Sequence, residues 1–107
     1  MTIGTKYHTF ATVTALAADR TLTVASASHE AVDPNGNRNV DLPDMGVYGT
    51  GSYTIDNTAG GAEVITLRDA ANSDATVGTP TENESAICHW ASDGTTAKWI
   101  CVVGSAA

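Results

Sequence analysis

The sequence predicts an all-β domain, an antiparallel sandwich or barrel-like arrangement of short strands with a C-terminal hairpin and little or no helix. Three runs carry this prediction, because they are rich in β-branched and aromatic residues and bounded by turn formers: Ser52–Asp56, Ala62–Leu67 and Ser85–Trp90. Strands this close together, joined by short turns, are typical of antiparallel meanders and sandwiches. The alanine-rich piece Ala15–Ala18 has no 3.6-residue period, so we expect almost no helix.

The first third reads as a strand pair, Tyr7–Leu16 and Thr21–Ser28, preceded by a possible extended arm over residues 1–6. In the second strand Leu22 and Val24 alternate with threonine and alanine, which predicts one buried face and one hydroxyl-rich face.

Residues 29–44 are predicted to form a long surface loop. Pro34 and Pro43 disfavour a central strand, and only Asn39–Leu42 could serve as a short one. Long ordered loops often contact partners, so Asn35 and Asn37 become candidate interaction residues.

The terminal hairpin allows two registers. A loop at Asp93–Thr96, or the tighter Gly94-Thr95, places three pairs opposite each other: Cys88 with Cys101, Trp90 with Trp99, and Ile87 with Val102. An Asp93-Gly94 turn would instead pair Cys88 with Trp99. Between a disulfide and two free buried thiols we favour free thiols, because we expect assembly in a cytosol.

Composition bounds the class of protein. With 107 residues the chain is predicted to be one β domain, 1–107, and its 25 large apolar residues besides Met1 make a thin core, which favours self-association. A net charge of −7 with only five basic residues argues against nucleic acid as a partner. No apolar run approaches the length of a membrane span, so no membrane partner is expected.

No motif points strongly to chemistry, so we predict no enzyme, no catalytic or metal-binding residues and no cofactor. Asp33–Asn37 imitates the start of a calcium loop, but Arg38 stands where an EF-hand needs glycine, and a simple turn explains the same residues. Trp90 and Trp99 are candidate interaction residues: exposed, they could stack on a sugar, whereas packed tryptophans on a cross-strand pair are commoner.

Part of the chain resembles a known class of proteins. The segments that show the resemblance lie within residues 46–103. They are Gly51–Thr58, Val64–Ala70, Thr81–Ala86, and Ser92–Thr95 before Trp99. They resemble β modules of tailed-bacteriophage virion proteins: capsid decoration (cement) proteins, head fibres and tail-fibre segments. A small acidic, threonine-rich domain without a coiled-coil stalk resembles a decoration protein more than a fibre.

The resemblance implies a homotrimer on the exterior of an icosahedral head, assembled in the host cytoplasm and bridging major capsid proteins. Tyr7, Phe10 and Val13, in the apolar N-terminal run, are further candidates for capsid or subunit contact. The alternative is a carbohydrate-binding or adhesion module of a phage fibre, and a small hydrolase ranks third. Exposure of the two tryptophans separates the first two hypotheses.

Overall fold

The computed structural model describes residues 9–105, which fold into two β-sheets around one shared core. The strands are β1 Phe10–Val13, β2 Arg20–Thr21, β3 His29–Val32, β4 Arg38–Leu42, β5 Ser52–Asn57, β6 Ile65–Asp69, β7 Ala75–Gly78, β8 Glu84–Ser92 and β9 Ala97–Ser105. Within the described range, a single 3₁₀ turn at Ala70–Asn72 is the only helical element. The expectation of mostly strand and almost no helix is confirmed. The proposed arm over residues 1–6, and Tyr7, lie outside the described residues.

The chain winds between the sheets like a coil. The large sheet has the order β1-β3-β5-β8-β9 and the small sheet the order β2-β4-β6-β7. The first six strands alternate between the two sheets, so the chain passes through the other sheet before it forms the next strand of the same sheet. Each new strand runs parallel to the preceding strand of its sheet: Phe10 lies beside His29, and His29 beside Thr54.

The last three strands run antiparallel to the strands with which they pair. β7 pairs antiparallel with β6, β8 with β5, and β9 with β8. Both sheets are therefore mixed, and the predicted antiparallel sandwich or barrel is wrong. Turn residues specify that the chain changes direction, but they do not specify which sheet the next strand joins.

The predicted loop over residues 29–44 is also wrong, since it contains β3 and β4. The segment does contain a turn between these strands: Asn35 and Gly36 have φ values of 50° and 119°, which asparagine and glycine tolerate. This turn carries the chain from one sheet to the other. Similarly, the predicted strand Thr21–Ser28 reduces to β2, and Ser26 N–H donates to Thr23 O in a turn that follows it.

The core lies between the sheets and is built by alternation. Inward residues of the large sheet, such as Val32, Tyr53 and Ile55, meet Val40 and Leu67 of the small sheet. The terminal hairpin adopts the register in which Cys88 pairs with Cys101 and Trp90 with Trp99, with a loop at Asp93–Thr96. The cysteines are joined in a disulfide, so the preference for free thiols is corrected. The register brings the two cysteines opposite each other, whereas the preference for thiols rested on an assumed compartment.

An ion pair joins the two sheets at the first turn of the coil. Arg20 of β2 donates through Nε and Nη2 to the two carboxylate oxygens of Glu30 of β3, at 2.9 and 2.7 Å. Glu30 is only 1% exposed, so its charge needs this bidentate partner. The hydrogen bond to Glu30 in turn raises the pKa of Arg20.

Candidate interaction surface

The side of the large sheet turned away from the core, here called the outer face, is crossed by registered lines of side chains. One line spans all five strands: Phe10, His29, Thr54, Ile87 and Val102. Two further lines flank it: Ser52, His89 and Ile100 on one side, and Thr12, Ala31, Asp56, Ser85 and Gly104 on the other. Ala91 and Lys98 form the last pair of this face near the hairpin loop. These residues lie on one side because alternate residues of a strand point the same way.

The outer face exposes large apolar side chains. Val102 is 69% exposed, Phe10 and Ile87 are each 62% exposed, and Ile100 is 41% exposed. Four of the six large apolar residues that the described range leaves exposed therefore share this face. Ile87, Ile100 and Val102 are neighbours on β8 and β9, whereas Phe10 lies on the opposite edge strand. Single exposed apolar residues are ordinary, but a clustered set such as these three marks an interaction surface.

A small polar network lies in the middle of the outer face. Asp56 accepts a hydrogen bond from Ser85 Oγ at 2.6 Å, and its other oxygen lies 2.7 Å from His29 Nε2. The His29 ring also meets Phe10 edge to face, with ring centroids 5.0 Å apart. Ser85 and His29 both bond to the carboxylate rather than to each other, so this arrangement differs from a nucleophile with its base.

The electrostatics of this face differ from those of the whole chain. Of its residues, Asp56 and Lys98 carry formal charge when histidine is neutral, and these charges cancel, while the chain carries −7. Partial burial tends to raise the pKa of Asp56, but the hydrogen bonds from Ser85 and His29 outweigh this effect and hold the pKa below its ordinary value. Asp56 therefore stays ionised and paired at neutral pH.

The two tryptophans belong to the core rather than to a surface. Trp90 is 7% exposed and Trp99 is 2% exposed. Their indole N–H groups donate to Gly46 O and Pro43 O, each at 2.8 Å. These hydrogen bonds therefore hold the segment between β4 and β5 against the hairpin, and both rings are buried.

The segment that they fasten presents a different aromatic residue. Gly49 N–H donates to Gly46 O in a tight turn, and Ser92 Oγ donates to Val47 O. Tyr48, within this turn, is 90% exposed. The structure thus holds an exposed tyrosine on a segment fixed by side chains of β8.

The remaining sequence candidates are scattered. Asn35 and Asn37 are exposed, but Asn37 Oδ1 accepts from Val64 N–H at 2.9 Å and Asn35 lies in the turn capped by Asp33 Oδ1. Val13 is half-buried and packs against the core. Among the described candidates, only Phe10 lies on the outer face.

A shallow cleft of about 450 Å³ lies beside the hairpin loop, lined by residues that include Asn72, Asp93 and Thr96. A smaller hollow of about 290 Å³ next to it reaches Trp90. The polar groups here already serve the backbone: Asp93 Oδ1 accepts from the N–H groups of Thr95 and Thr96, each at 2.8 Å. Asn72 Nδ2 likewise donates to Asp69 Oδ2 and Ala97 O. Asp93 and Asn72 are therefore engaged within the protein, whereas Lys98 also lines the cleft.

Within residues 9–105 no group of three or more potential metal ligands comes together. Over the same residues no helix is long and apolar enough to cross a membrane.

The sequence reasoning missed Ile87, Ile100 and Val102 as surface residues, although it paired Ile87 with Val102. The signal was present in β8 and β9. Cys88, Trp90, Trp99 and Cys101 fill one side of this hairpin, so apolar residues on its other side were available for a second contact.

No protein-family model matches the chain, and neither does any curated protein or solved structure with which it was compared.

Proposed function

We propose that this chain is a non-enzymatic structural protein of a tailed-bacteriophage virion, which decorates the exterior of an icosahedral head and stabilises it by bridging major capsid proteins. It acts as a homotrimer assembled in the host cytoplasm, with no nucleic acid, membrane or cofactor partner. The observation that carries the proposal is the outer face, on which Ile87, Ile100 and Val102 are exposed near one edge and Phe10 at the other. Such a face suits a protein that works by contact.

The extent of the outer face supports an assembly role. Five strands at about 4.8 Å spacing, with β8 and β9 about 30 Å long and β1 about half of that, give a face on the order of 500 Å². The four exposed large apolar side chains occupy part of this face, beside polar residues such as Thr54 and His89. A trimer would present each of its capsid contacts three times, and modest contacts then add through avidity.

Tyr48 is our candidate for contact with the capsid protein. It is 90% exposed, and the turn that carries it is held by Trp90 and Ser92. Tyrosine is enriched among residues that dominate binding energies, and a turn that is already ordered loses little entropy on binding.

The carbohydrate-binding alternative has less support. A stacking platform needs an exposed ring, whereas Trp90 and Trp99 are buried and their N–H groups are bonded to backbone carbonyls. No other described observation favours sugar over protein as the partner.

Co-sedimentation with heads of the phage that encodes the chain tests the proposal. We expect saturable binding of the purified protein and greater resistance of loaded heads to heat. Tyr48→Ser should weaken binding at least tenfold, and Tyr48→Phe, which keeps the ring, should retain most of it. Absence of binding by the wild-type protein would overturn the proposed function.

A further inference from the structure

We infer that Asn35 is a self-modification site, at which the side-chain amide is converted to an acid in the folded protein without an enzyme. The backbone nitrogen of Gly36 attacks Asn35 Cγ, and Arg38 promotes this attack from the same turn. The turn joins β3 to β4 and so carries the chain from the large sheet to the small sheet. The inference goes beyond the proposed function and does not rest on it.

The turn contains the residue pair that favours this attack. Asn35-Gly36 is the only Asn-Gly dipeptide in the sequence. Glycine has no side chain to obstruct the approach of its nitrogen to the preceding carboxamide, and its backbone is the most permissive of all residues. Asn35 is exposed, so water can reach the reacting groups.

The two reacting groups are not held by strong hydrogen bonds. Within residues 9–105 the N–H group of Gly36 has no hydrogen-bond acceptor. Over the same residues the Asn35 carboxamide makes a single hydrogen bond, from Nδ2 to Leu16 O at 3.4 Å, which is a long distance for such a bond. The attack therefore breaks no short hydrogen bond of either group.

Arg38 places a positive charge at the peptide group that must react. Its Nη2 donates to Asn35 O at 3.0 Å, and this carbonyl belongs to the same peptide group as the Gly36 nitrogen. A charged donor on that oxygen stabilises the negative charge that spreads over the peptide group when the nitrogen loses its proton. Arg38 Nε also donates to Pro34 O at 3.0 Å, which fixes the guanidinium in the turn.

The same guanidinium lies beside the side chain that is converted. Arg38 Nη2 donates to Leu16 O at 3.1 Å, and Asn35 Nδ2 donates to the same oxygen. Arg38 belongs to none of the ion pairs formed among residues 9–105. A carboxylate formed at position 35 would supply the charge partner that Arg38 lacks, so the site favours the product as well as the attack.

The reaction requires only water as a co-reactant. The Gly36 nitrogen forms a bond to Asn35 Cγ, the bond from Cγ to Nδ2 breaks, and the amide nitrogen leaves as ammonia with the proton from Gly36. Water then opens the resulting cyclic imide at either of its carbonyls. One opening restores the ordinary peptide bond, and the other leaves the chain running through Cβ and Cγ. Both add a negative charge, and the second lengthens the turn.

Peptide mapping by mass spectrometry, during incubation of the folded full chain at neutral pH, tests the site. We expect conversion at Asn35, with an isoaspartyl product, and no detectable conversion at Asn37 over the same period. Asn37 is the internal control, because it is exposed in the same turn, but Arg38 follows it and its Oδ1 accepts from Val64 N–H. Absence of conversion at Asn35, or equal conversion of both asparagines, would overturn the inference.

Substitution of Arg38 tests its promoting role. Arg38→Gln should slow the conversion in the folded protein at least about threefold, because the charged donor is lost, and Arg38→Lys, which keeps the charge, should react at an intermediate rate. In urea the variants and the wild-type protein should react alike. If Arg38 only stiffened the turn, its replacement would speed the conversion, and that result would overturn the promoting role. Emission from the buried Trp90 and Trp99 reports whether each variant is folded.

Discussion

Asp56 shows how one carboxylate can be both surface-facing and structurally engaged. It joins β5 to β8 through Ser85 and to β3 through His29. Its pKa in the folded protein lies below the ordinary value of 3.8. Its contribution to stability is therefore fully present above the unfolded pKa and is lost as the pH falls through the folded pKa.

Asp56→Asn should lower the free energy of unfolding at pH 7 by about 1 kcal/mol, because charge-assisted hydrogen bonds become neutral ones. The difference from the wild-type protein should begin to shrink as the pH falls below the unfolded pKa of about 3.9, and it should be lost as the pH falls through the lower folded pKa of Asp56. Urea unfolding followed by circular dichroism between pH 3 and pH 7 measures both effects.

Glu82→Gln is the control for that series, since Glu82 is exposed and no hydrogen bond or ion pair of its side chain is seen among residues 9–105. This substitution removes a carboxylate that makes no hydrogen bond or ion pair within residues 9–105. Equal acid sensitivity of the Asp56→Asn and Glu82→Gln proteins would contradict the role assigned to Asp56.

Asn57 is a buried amide that ties three segments together. It is 2% exposed, and its Nδ2 group donates to Glu63 O at 2.9 Å and to Pro80 O at 3.0 Å. Its Oδ1 atom accepts from Ala59 N–H at 2.9 Å. All of its principal hydrogen-bonding capacity is used inside the protein.

Asn57→Asp should therefore cost about 3 kcal/mol or more at neutral pH, because a carboxylate would face two carbonyl oxygens in a buried site. The same substitution at exposed Asn37, whose oxygen only accepts from Val64 N–H, should change stability by about 0.5 kcal/mol or less. Thermal unfolding of the two variants compares them directly. Equal destabilisation of both would show that burial of Asn57 does not matter.

At the scale of elements, the β8–β9 hairpin is stabilised by its register, its loop and its disulfide. Asp93 accepts from Thr95 and Thr96 in the loop, Trp90 pairs with Trp99, and the disulfide closes the pair between Cys88 and Cys101. A covalent link across 13 residues restricts the unfolded chain.

Replacing both cysteines by alanine should lower the free energy of unfolding by about 2 to 4 kcal/mol while leaving the hairpin register unchanged. Reductant should lower the unfolding midpoint of the wild-type protein and leave that of the double variant alone. Rapid labelling of two thiols in the native protein, without reductant, would contradict the disulfide.

The sequence could predict the hairpin because its register depends on local residues. The four-residue loop and the Cys and Trp pairs all lie within Cys88–Cys101, so a few candidate registers cover the possibilities. By contrast, β3 lies within the segment predicted to be a loop. His29–Val32 is short, begins with two polar residues and is stabilised by β1 and β5, which lie far from it in the sequence.

At the scale of the whole molecule, the coil could not be predicted from local patterns. The alternation of buried and exposed residues in β3, β4 and β5 looks the same whether the neighbouring strand is parallel or antiparallel. Pairing of Phe10 with His29, and of His29 with Thr54, depends on which sheet each strand joins. For the same reason the outer face could not be assembled from sequence.

Association of the chain should strengthen as salt is added. Each copy of the proposed homotrimer carries −7, so salt screens the repulsion between copies. Raising NaCl from 20 to 500 mM should increase the association constant several-fold. Sedimentation equilibrium measures this change, and weaker association at high salt would indicate an interface held by ion pairs.

The winding of the chain also constrains when folding can be completed. β1 to β6 build the coil, but the second strand partner of β5 is β8, and Trp99, which packs against Tyr53, and Trp90, which packs against Trp99, come from β9 and β8. During synthesis, the early turns of the coil must therefore wait for strands that the ribosome has not yet made. Until then the open edge of β5 is a template for other chains, so the interval between synthesis of β5 and of β8 is when this protein is most exposed to misassembly.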